Sequence, residues 1–227
     1  MKARPIIFSA PMVRALLDGR KTQTRRIIRP APPAGAILQG HVVGSSDKSR
    51  IGKVMWMNGA VSHVARLPYG KIGDLLWVRE SLKIFNTIHR ETGEYGLAAY
   101  YAAGGGDMQT WVWNGRTDAS GIPSIHMPRS ASRLTLKITD IRVERLQDIS
   151  EEDAIAEGVE KAFFQGFKIY HKWALPNESY PSAKDSFQSL WESIHGKESW
   201  QENPWVWVIS FEVIHANVDK ILAGEGE

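Results

Sequence analysis

The sequence has no cysteine among its 227 residues. This excludes a disulfide framework, a thiolate metal site and a cysteine nucleophile. No segment approaches the run of about 18 apolar residues that a membrane-spanning helix needs. The apolar run near the N-terminus, Ile6 to Phe8, is interrupted soon afterwards by Pro11 and Arg14, which argues against a signal peptide. We therefore expect a soluble cytoplasmic protein with no membrane partner.

Several common site motifs are also missing. The chain has no phosphate-binding loop, no dinucleotide-binding fingerprint and no nucleophile elbow. The glycine run Gly104 to Gly106 lacks the Lys-Ser/Thr pair of a phosphate loop and predicts only a flexible loop. None of the seven histidines is four residues from another, so no helical metal pair is present. We expect neither a metal nor another cofactor.

The pattern of apolar residues predicts an α+β protein with five or six strands and three short helices. Because the strands do not alternate regularly with long helices, a small mixed or antiparallel β-barrel with long loop insertions fits better than a parallel doubly wound sheet. We predict one domain, residues 1–227, with insertions at about 30–70, 85–128 and 160–181. The main predicted strands are Arg4–Ser9, Thr24–Ile28, Lys53–Met57, Gly73–Glu80, a bent strand after Ser132 and Trp205–Ile214.

The predicted helices have recognisable ends. Pro11 suits the first turn of the first helix, and Gly19 suits the left-handed turn that ends it. Ser150 is placed to cap a short helix from Glu151 to Glu157. Ser182 is placed to cap a second helix that ends at His195. These short helices separate the strands and leave little room for a large helical layer.

One stretch is unusually basic. Six basic residues and only one acid, Asp18, lie between Arg14 and Arg29, although the net charge of the chain is only +3. The cluster is consistent with an anion site, an activated hydroxyl or solvated surface. Lys21 and Thr24 lie three residues apart across the predicted turn, where an amine and a hydroxyl can meet. Nearby cations would lower the pKa of the amine, but the residue pattern alone favours surface.

The same stretch resembles a known family. The residues Gly19 to Arg26, GRKTQTRR, match the G-x-K-x-x-T-x-R signature of the ASCH domain family. The segments GDLLWVRE, LQDISEEDAIAEGV and NPWVWVISFEVI resemble its other core segments, in the right order. The stretches MPRSASRLTL and LWESIHG resemble long members encoded in phages and prophages. The resemblance implies a small β-barrel similar to the PUA domain of RNA-modifying proteins.

The resemblance also implies an activity, because some small bacterial members hydrolyse the amide of N(4)-acetylcytidine with a Lys, a Thr and a Glu. The first two correspond to Lys21 and Thr24. The third follows an L-[ST]-E-x-x-A-x-x-E pattern, which here begins with Ile149 in place of Leu and points to Glu157. Glu157 would otherwise be a surface residue in the last helical turn, where a negative charge is unfavourable.

The expected substrate is therefore an N4-acylated cytosine nucleoside or a related modified base. The alternatives are a binding module that holds RNA or a modified nucleotide without turnover and, with less support, a nuclease or a phage regulatory protein. Arg79 and Glu80 are neighbours on a strand, so one would line a pocket and the other pair at the surface. The candidate binding residues are Arg20, Arg25, Arg26, Arg79, Glu80, His126 and Arg129.

An aromatic group in the last insertion is a further candidate. It forms either a lid that stacks a base or, more simply, packing between the insertion and the barrel. Its members are Phe163, Phe164, Phe167, Tyr170 and Trp173.

Overall fold

Short β-strands make up most of the regular structure in the part of the chain that the computed structural model describes. These residues are 1–41, 53–88, 95–104, 121–164, 167–172 and 175–224. Within them the protein is mixed α+β, with thirteen strands and four short α-helices. None of the helices in these ranges is long and apolar enough to cross a membrane.

The chain forms two compact units, and each consists of segments that are distant in sequence. The first unit comprises Met1–Thr22, Gly73–Ile138 and Phe211–Glu227. The second comprises Gln23–Ile72 and Thr139–Ser210. A single domain over 1–227 stays a prediction.

In the first unit the strands β1 (Ala3–Ile7) and β6 (Leu75–Arg79) run parallel. Strand β6 is antiparallel to the beginning of β9 (Thr135–Arg145). Helix α1 (Ala10–Leu17) begins with proline in its first turn and buries Val13, Ala15 and Leu16, as its apolar spacing predicts. The unit also contains β7 (Leu82–Ile88), β8 (Tyr95–Tyr101) and α4 (Val218–Ala223).

In the second unit the strand β2 (Gln23–Ile27) is antiparallel to the first half of β13 (Trp205–Ile214). Residues Val206 to Ile209 of β13 are all buried, which confirms a strand apolar on both faces. The helices of this unit are α2 (Glu151–Ala156) and α3 (Ala183–His195). The order of strands in the five-stranded sheet is β1-β6-β9-β13-β2, and β9 and β13 each begin in one unit and end in the other.

The predicted insertions are not only loops. The first contains an antiparallel sheet of β3 (Ile37–His41), β4 (Val54–Asn58) and β5 (Val61–Ala65). The second contains most of the β7–β8 hairpin. The third forms an antiparallel sheet of β10 (Lys161–Phe164), β11 (Phe167–Lys172) and β12 (Leu175–Tyr180). Of these strands, only β4 corresponds to a predicted strand, Lys53–Met57. Strands this short show little periodicity, so the others were not predicted.

The predicted helix ends are confirmed. The Ser150 hydroxyl accepts a hydrogen bond from the backbone N–H of Asp153 at 3.1 Å, and Ser182 accepts one from Asp185 at 3.2 Å. Gly19 has a φ of +70° at the end of α1. In β9 the successive residues Thr139 and Asp140 are both exposed, which agrees with the prediction that this strand is bent.

The carboxylate of Glu151 connects the starts of α2 and α3 in the second unit. It accepts hydrogen bonds from the Ser182 hydroxyl at 2.7 Å and from the backbone N–H groups of Ala183 at 2.8 Å and Lys184 at 3.3 Å. The first N–H groups of a helix have no partner within the helix, so this carboxylate acts as an additional cap of α3.

We therefore expect E151A to lower the free energy of unfolding by about 1 kcal/mol, the typical value of a lost cap. The neighbouring exposed residue Glu152 provides the control, and E152A should change stability by less than about 0.5 kcal/mol. Urea denaturation of both variants measures the difference. Equal effects would contradict the capping role of Glu151.

Candidate functional site

The turn after α1 directs Lys21 into the interior of the first unit. The backbone N–H groups of Arg20 and Lys21 both donate to the carbonyl of Ala15, at 2.9 and 3.0 Å. This reversal leaves the Lys21 side chain 0% exposed, with Nζ 5.6 Å from the centroid of the Phe8 ring. The interpretation as solvated surface is therefore wrong for Lys21. Fully buried lysines are rare in proteins.

The predicted binding residue Arg20 has a different environment. Its guanidinium donates through Nη2 to the carboxylate of Asp18 at 2.9 Å, and both side chains are partly exposed. This is a local surface ion pair at the end of α1. Such pairs contribute little to stability.

In the second unit, β2 carries a buried threonine followed by a buried arginine. Thr24 is 3% exposed and lies opposite Ile209 of β13. The Arg25 side chain is fully buried, with its guanidinium 5.7 Å from the ring of Phe187. Thr24 and Arg25 are neighbours in a strand, so their side chains point to opposite faces.

All three guanidinium nitrogens of Arg25 are bound to acceptors of the second unit. Nη1 donates to Gln23 Oε1 at 2.7 Å and to Glu157 Oε1 at 3.2 Å. Nε donates to Glu144 Oε1 at 3.0 Å, and Nη2 donates to Asp153 Oδ2 at 2.9 Å. The buried guanidinium is thus surrounded by acids, and it presents no open surface to the phosphates of a nucleic acid.

A second arginine completes this cluster. Arg142 donates to Glu144 at 3.1 Å and also binds Asp153. The cluster of Arg25, Arg142, Glu144, Asp153 and Glu157 therefore contains two cations and three anions. We call these five residues the Arg25 cluster.

Glu157 is held in this cluster and is only 2% exposed, so it is not the surface residue that a helix end would suggest. It is the residue that follows the last turn of α2, where the helix dipole disfavours a negative charge. The hydrogen bond from Arg25 Nη1 compensates for that position. The motif in the sequence therefore identified a glutamate that is both buried and ion-paired.

The arginines of the Arg25 cluster shift the pKa of Asp153. Burial raises it, but the hydrogen bond from Arg142 and the charges of Arg25 and Arg142 outweigh burial. The pKa is therefore lower than its ordinary value of 3.8. A carboxyl with a depressed pKa stabilises the fold above its unfolded pKa, and this contribution is lost as the pH falls through the folded pKa.

We expect D153N to be less stable than wild type by about 1–3 kcal/mol at pH 6, the range for a hydrogen bond to a charged group. The difference should shrink as the pH falls below about 4, because the wild-type carboxyl then becomes protonated as well. Urea denaturation of both proteins between pH 3 and pH 6 measures it. A difference that is independent of pH would contradict the ionic role of Asp153.

A cavity of about 280 Å³ lies elsewhere on the second unit. Arg26 and Trp207 are directly opposite each other on β2 and β13, so their side chains share one face of the sheet. Of all the predicted site residues, only Arg26 lines this cavity; Lys21, Thr24 and Glu157 do not. The described residues that line it are Arg26, Ile27, Arg29, Pro68, Tyr69, His195 and Trp207.

Two groups of this cavity have shifted pKa values. Burial lowers the pKa of the Arg26 guanidinium, and the charges of Tyr69 and Glu157 oppose that change. Burial also lowers the pKa of His195, and the positive charges of Arg26 and Arg29 lower it further. His195 is therefore a neutral imidazole beside two cations at pH 7.

Apart from Arg26, no pattern in the sequence indicated this cavity. His195 ends α3 and stacks on Trp191, with the ring centroids 4.3 Å apart. Trp207 is one of nine tryptophans in the chain, and Tyr69 lies at the end of the predicted first insertion. The sequence features that could have pointed to the cavity are His195 at the end of a predicted helix and the arginines Arg26 and Arg29 in and after the basic motif.

The other predicted binding residues belong to the first unit. Glu80 is 1% exposed and accepts two hydrogen bonds from Arg133, from Nε at 2.8 Å and from Nη2 at 2.9 Å. Burial raises the pKa of Glu80, and Arg133 opposes the rise. Of the Arg79–Glu80 pair, Glu80 is thus the member that is ion-paired in a buried position.

Arg79 is engaged within the same unit. Its Nη2 donates to the carbonyl of Ile125, and its guanidinium lies 5.2 Å from the centroid of the Trp77 ring. Arg129 forms an ion pair with Asp219 at 2.6 Å, and His126 is exposed on a single 3₁₀ turn, Ser124–His126. The described contacts of Arg79, Glu80 and Arg129 are thus made with other residues of the first unit.

The aromatic group of the third insertion is described only in part. Tyr170 is 1% exposed, which agrees with packing. The side chains of Phe163, Phe164 and Phe167, together with Trp173, lie outside what the structure describes. The predicted glycine loop is described only as far as Gly104.

Comparisons with known proteins add no assignment. No family model matches the chain, and neither a curated protein nor a solved structure matches it. A function must therefore be argued from the residues and their geometry.

Proposed function

We propose that the protein is an amidohydrolase that removes the acyl group from the exocyclic amine of N4-acylated cytosine nucleosides or a related modified base. In this proposal the fold is a PUA-like barrel of the ASCH type. One observation carries it: Lys21, Thr24 and Glu157, the three residues that the resemblance implies, are all buried. Arg25, the next residue of the basic motif, binds Glu157 at 3.2 Å, although its side chain leaves β2 on the face opposite Thr24.

The proposed nucleophile is the Thr24 hydroxyl. Its oxygen attacks the acyl carbonyl carbon, and the Lys21 amine, three residues earlier, takes the hydroxyl proton. The tetrahedral intermediate collapses when the bond between the carbonyl carbon and N4 breaks. The proton then passes to N4 through Glu157, which leaves free cytidine and a threonine ester. Water hydrolyses the ester to the carboxylic acid and restores Thr24.

Burial of the three groups supports this chemistry. Lys21 is 0%, Thr24 3% and Glu157 2% exposed. Burial disfavours the charged form of an amine, and only the neutral amine can accept the proton of the hydroxyl. The same burial means that neighbouring side chains must move aside before a substrate reaches Thr24.

Arg25 has a positioning role in the proposal. Its guanidinium is bound on every nitrogen, so the plane of the group and the Glu157 oxygen it contacts are fixed. A carboxylate held in this way keeps its orientation for proton transfer. The cluster thus accounts for a buried arginine immediately after the proposed nucleophile.

The test is incubation of the purified protein with a panel of N4-acylated cytidines, with the products separated by chromatography. The proposal expects cytidine and the free acid in equal amounts from at least N(4)-acetylcytidine. No product from any member of the panel would overturn the hydrolase. Tight binding of an acylated cytidine without turnover would favour the alternative of a binding module.

A further inference from the structure

The cavity lined by Arg26, Arg29 and His195 has the chemistry of an anion site. It brings two guanidinium groups and an imidazole to one place, and none of the seven described residues that line it is acidic. Arg29 is exposed, two residues beyond the end of β2, and therefore accessible to a ligand. Arginine binds phosphate oxygens through two parallel N–H groups, which gives it both affinity and orientation.

The same cavity has an aromatic and apolar side. Tyr69 is half-buried there, Pro68 is exposed, and Trp207 forms part of the buried wall. Ligand pockets with a mainly apolar lining and a few convergent polar groups bind molecules that contain both an apolar ring and a polar group. A volume of about 280 Å³ accommodates a small molecule rather than a folded partner.

We propose that this cavity binds a nucleoside monophosphate, with the phosphate between Arg29, Arg26 and His195 and the aromatic base beside Tyr69. The phosphate monoester is mostly a dianion at pH 7, since its second pKa is about 6. Its charge matches a site that contains two guanidinium groups and an imidazole.

The cavity lies close to the proposed nucleophile on one strand. Thr24 and Arg26 are two residues apart on β2, so their side chains share a face of the sheet. The proposal does not depend on hydrolysis, because binding is measured without turnover. It adds a terminal phosphate to the nucleoside that the hydrolase proposal names as the ligand.

The charged neighbours of His195 determine what binding should do to its titration. Besides burial, the charges of Arg26 on β2 and of Arg29 just after β2 lower the pKa of His195. Tyr69 lines the same cavity. On its own helix His195 stacks on Trp191, and Glu192 lies one turn earlier, hydrogen-bonded to Gln188. An anion at the cavity favours the imidazolium and so raises the pKa of His195.

The experiment titrates the full chain with cytidine 5′-monophosphate, cytidine and inorganic phosphate by calorimetry at moderate salt. We expect the monophosphate to bind at least about tenfold more tightly than cytidine or inorganic phosphate, which corresponds to about 1.4 kcal/mol. R29M should reduce that affinity at least about tenfold, the scale of a lost charged contact. R66M, which replaces an exposed arginine of the same unit outside the cavity lining, is the matched control and should leave it unchanged.

Proton NMR of the histidines supplies a second measurement, with the His195 signal identified by its absence in H195Q. Bound cytidine 5′-monophosphate should raise the pKa of His195 by about one unit. Equal affinity for cytidine and its monophosphate, equal effects of R29M and R66M, or an unchanged His195 pKa would overturn the proposal. Equal affinity for inorganic phosphate would overturn the role of the aromatic side.

A short cytidine oligonucleotide without terminal phosphates tests a polymeric ligand. Binding as tight as that of the monophosphate would show that internal phosphodiesters suffice and would overturn the assignment to a monophosphate. The hydrolase and this site can fail separately. Turnover of N(4)-acetylcytidine without preferential binding of the monophosphate refutes only the proposed monophosphate site. Preferential binding of the monophosphate without turnover refutes only the proposed hydrolase activity.

Discussion

The variant T24V is expected to lower kcat/KM for N(4)-acetylcytidine by at least about 1,000-fold, because it removes the atom that attacks the carbonyl. Valine has nearly the shape of threonine and suits a β-strand, so β2 should keep its pairing with β13. The change in unfolding free energy should stay near the 1 kcal/mol or so of a single hydrogen bond. Initial rates and a thermal melt measure the two effects separately.

The sequence offers a closely matched control for that variant. Thr22 lies two residues earlier in the same motif, but its side chain is exposed. T22V should therefore keep the activity within about twofold, as expected for a surface substitution away from the site. If T24V retains wild-type activity, or if both variants lose it equally, Thr24 is not the nucleophile.

The variant R25M is expected to cause the largest loss of stability among the single changes considered. It removes the buried guanidinium that binds the carboxylates of Glu144, Asp153 and the buried Glu157. Removing one partner of a buried ion pair typically costs about 3–5 kcal/mol. For a chain of this length, that loss lowers the melting temperature by roughly 6–20 °C.

Two further variants show whether charge is the cause. R20M removes an arginine from the same basic stretch, but its pair with Asp18 is on the surface, so the loss should be under about 1 kcal/mol. Adding E144Q to R25M should recover part of the lost stability, because one uncompensated carboxylate is then neutral. A loss no larger for R25M than for R20M would contradict the role assigned to the Arg25 cluster.

The ends of the elements could be predicted from local signals in the sequence. Ser150 and Ser182 cap their helices as expected, and Gly19 adopts the left-handed conformation that ends α1. Each of these signals involves residues within four positions of one another. Such contacts depend on the local chain, so the sequence contains most of the information needed to predict them.

The partners of buried charges could not be predicted in the same way. Arg25 binds Glu144 and Glu157, which are 119 and 132 positions away in the sequence. Only the path of the chain brings them together, and the pattern around Arg25 predicted exposed surface. The Arg133 partner of Glu80 was missed for the same reason, since it lies 53 positions further along.

The cavity shows a different limit. Arg29, Tyr69 and His195 come from the end of a strand, a loop and the end of a helix, and no spacing rule relates them. Glu157, by contrast, was indicated by a motif, although nothing in its helix required it to be buried. A motif can thus identify single residues such as Glu157. A site whose residues come from the ends of separate strands, loops and helices becomes visible only in the three-dimensional structure.

The division of β9 and β13 between the two units has a practical consequence for dissecting the protein. Each strand passes from one unit to the other within its length, between Ile138 and Thr139 in β9 and between Ser210 and Phe211 in β13. No cut in a loop therefore yields either unit as an intact fragment. Point substitutions, rather than truncations, are the appropriate means of assigning an activity to one unit.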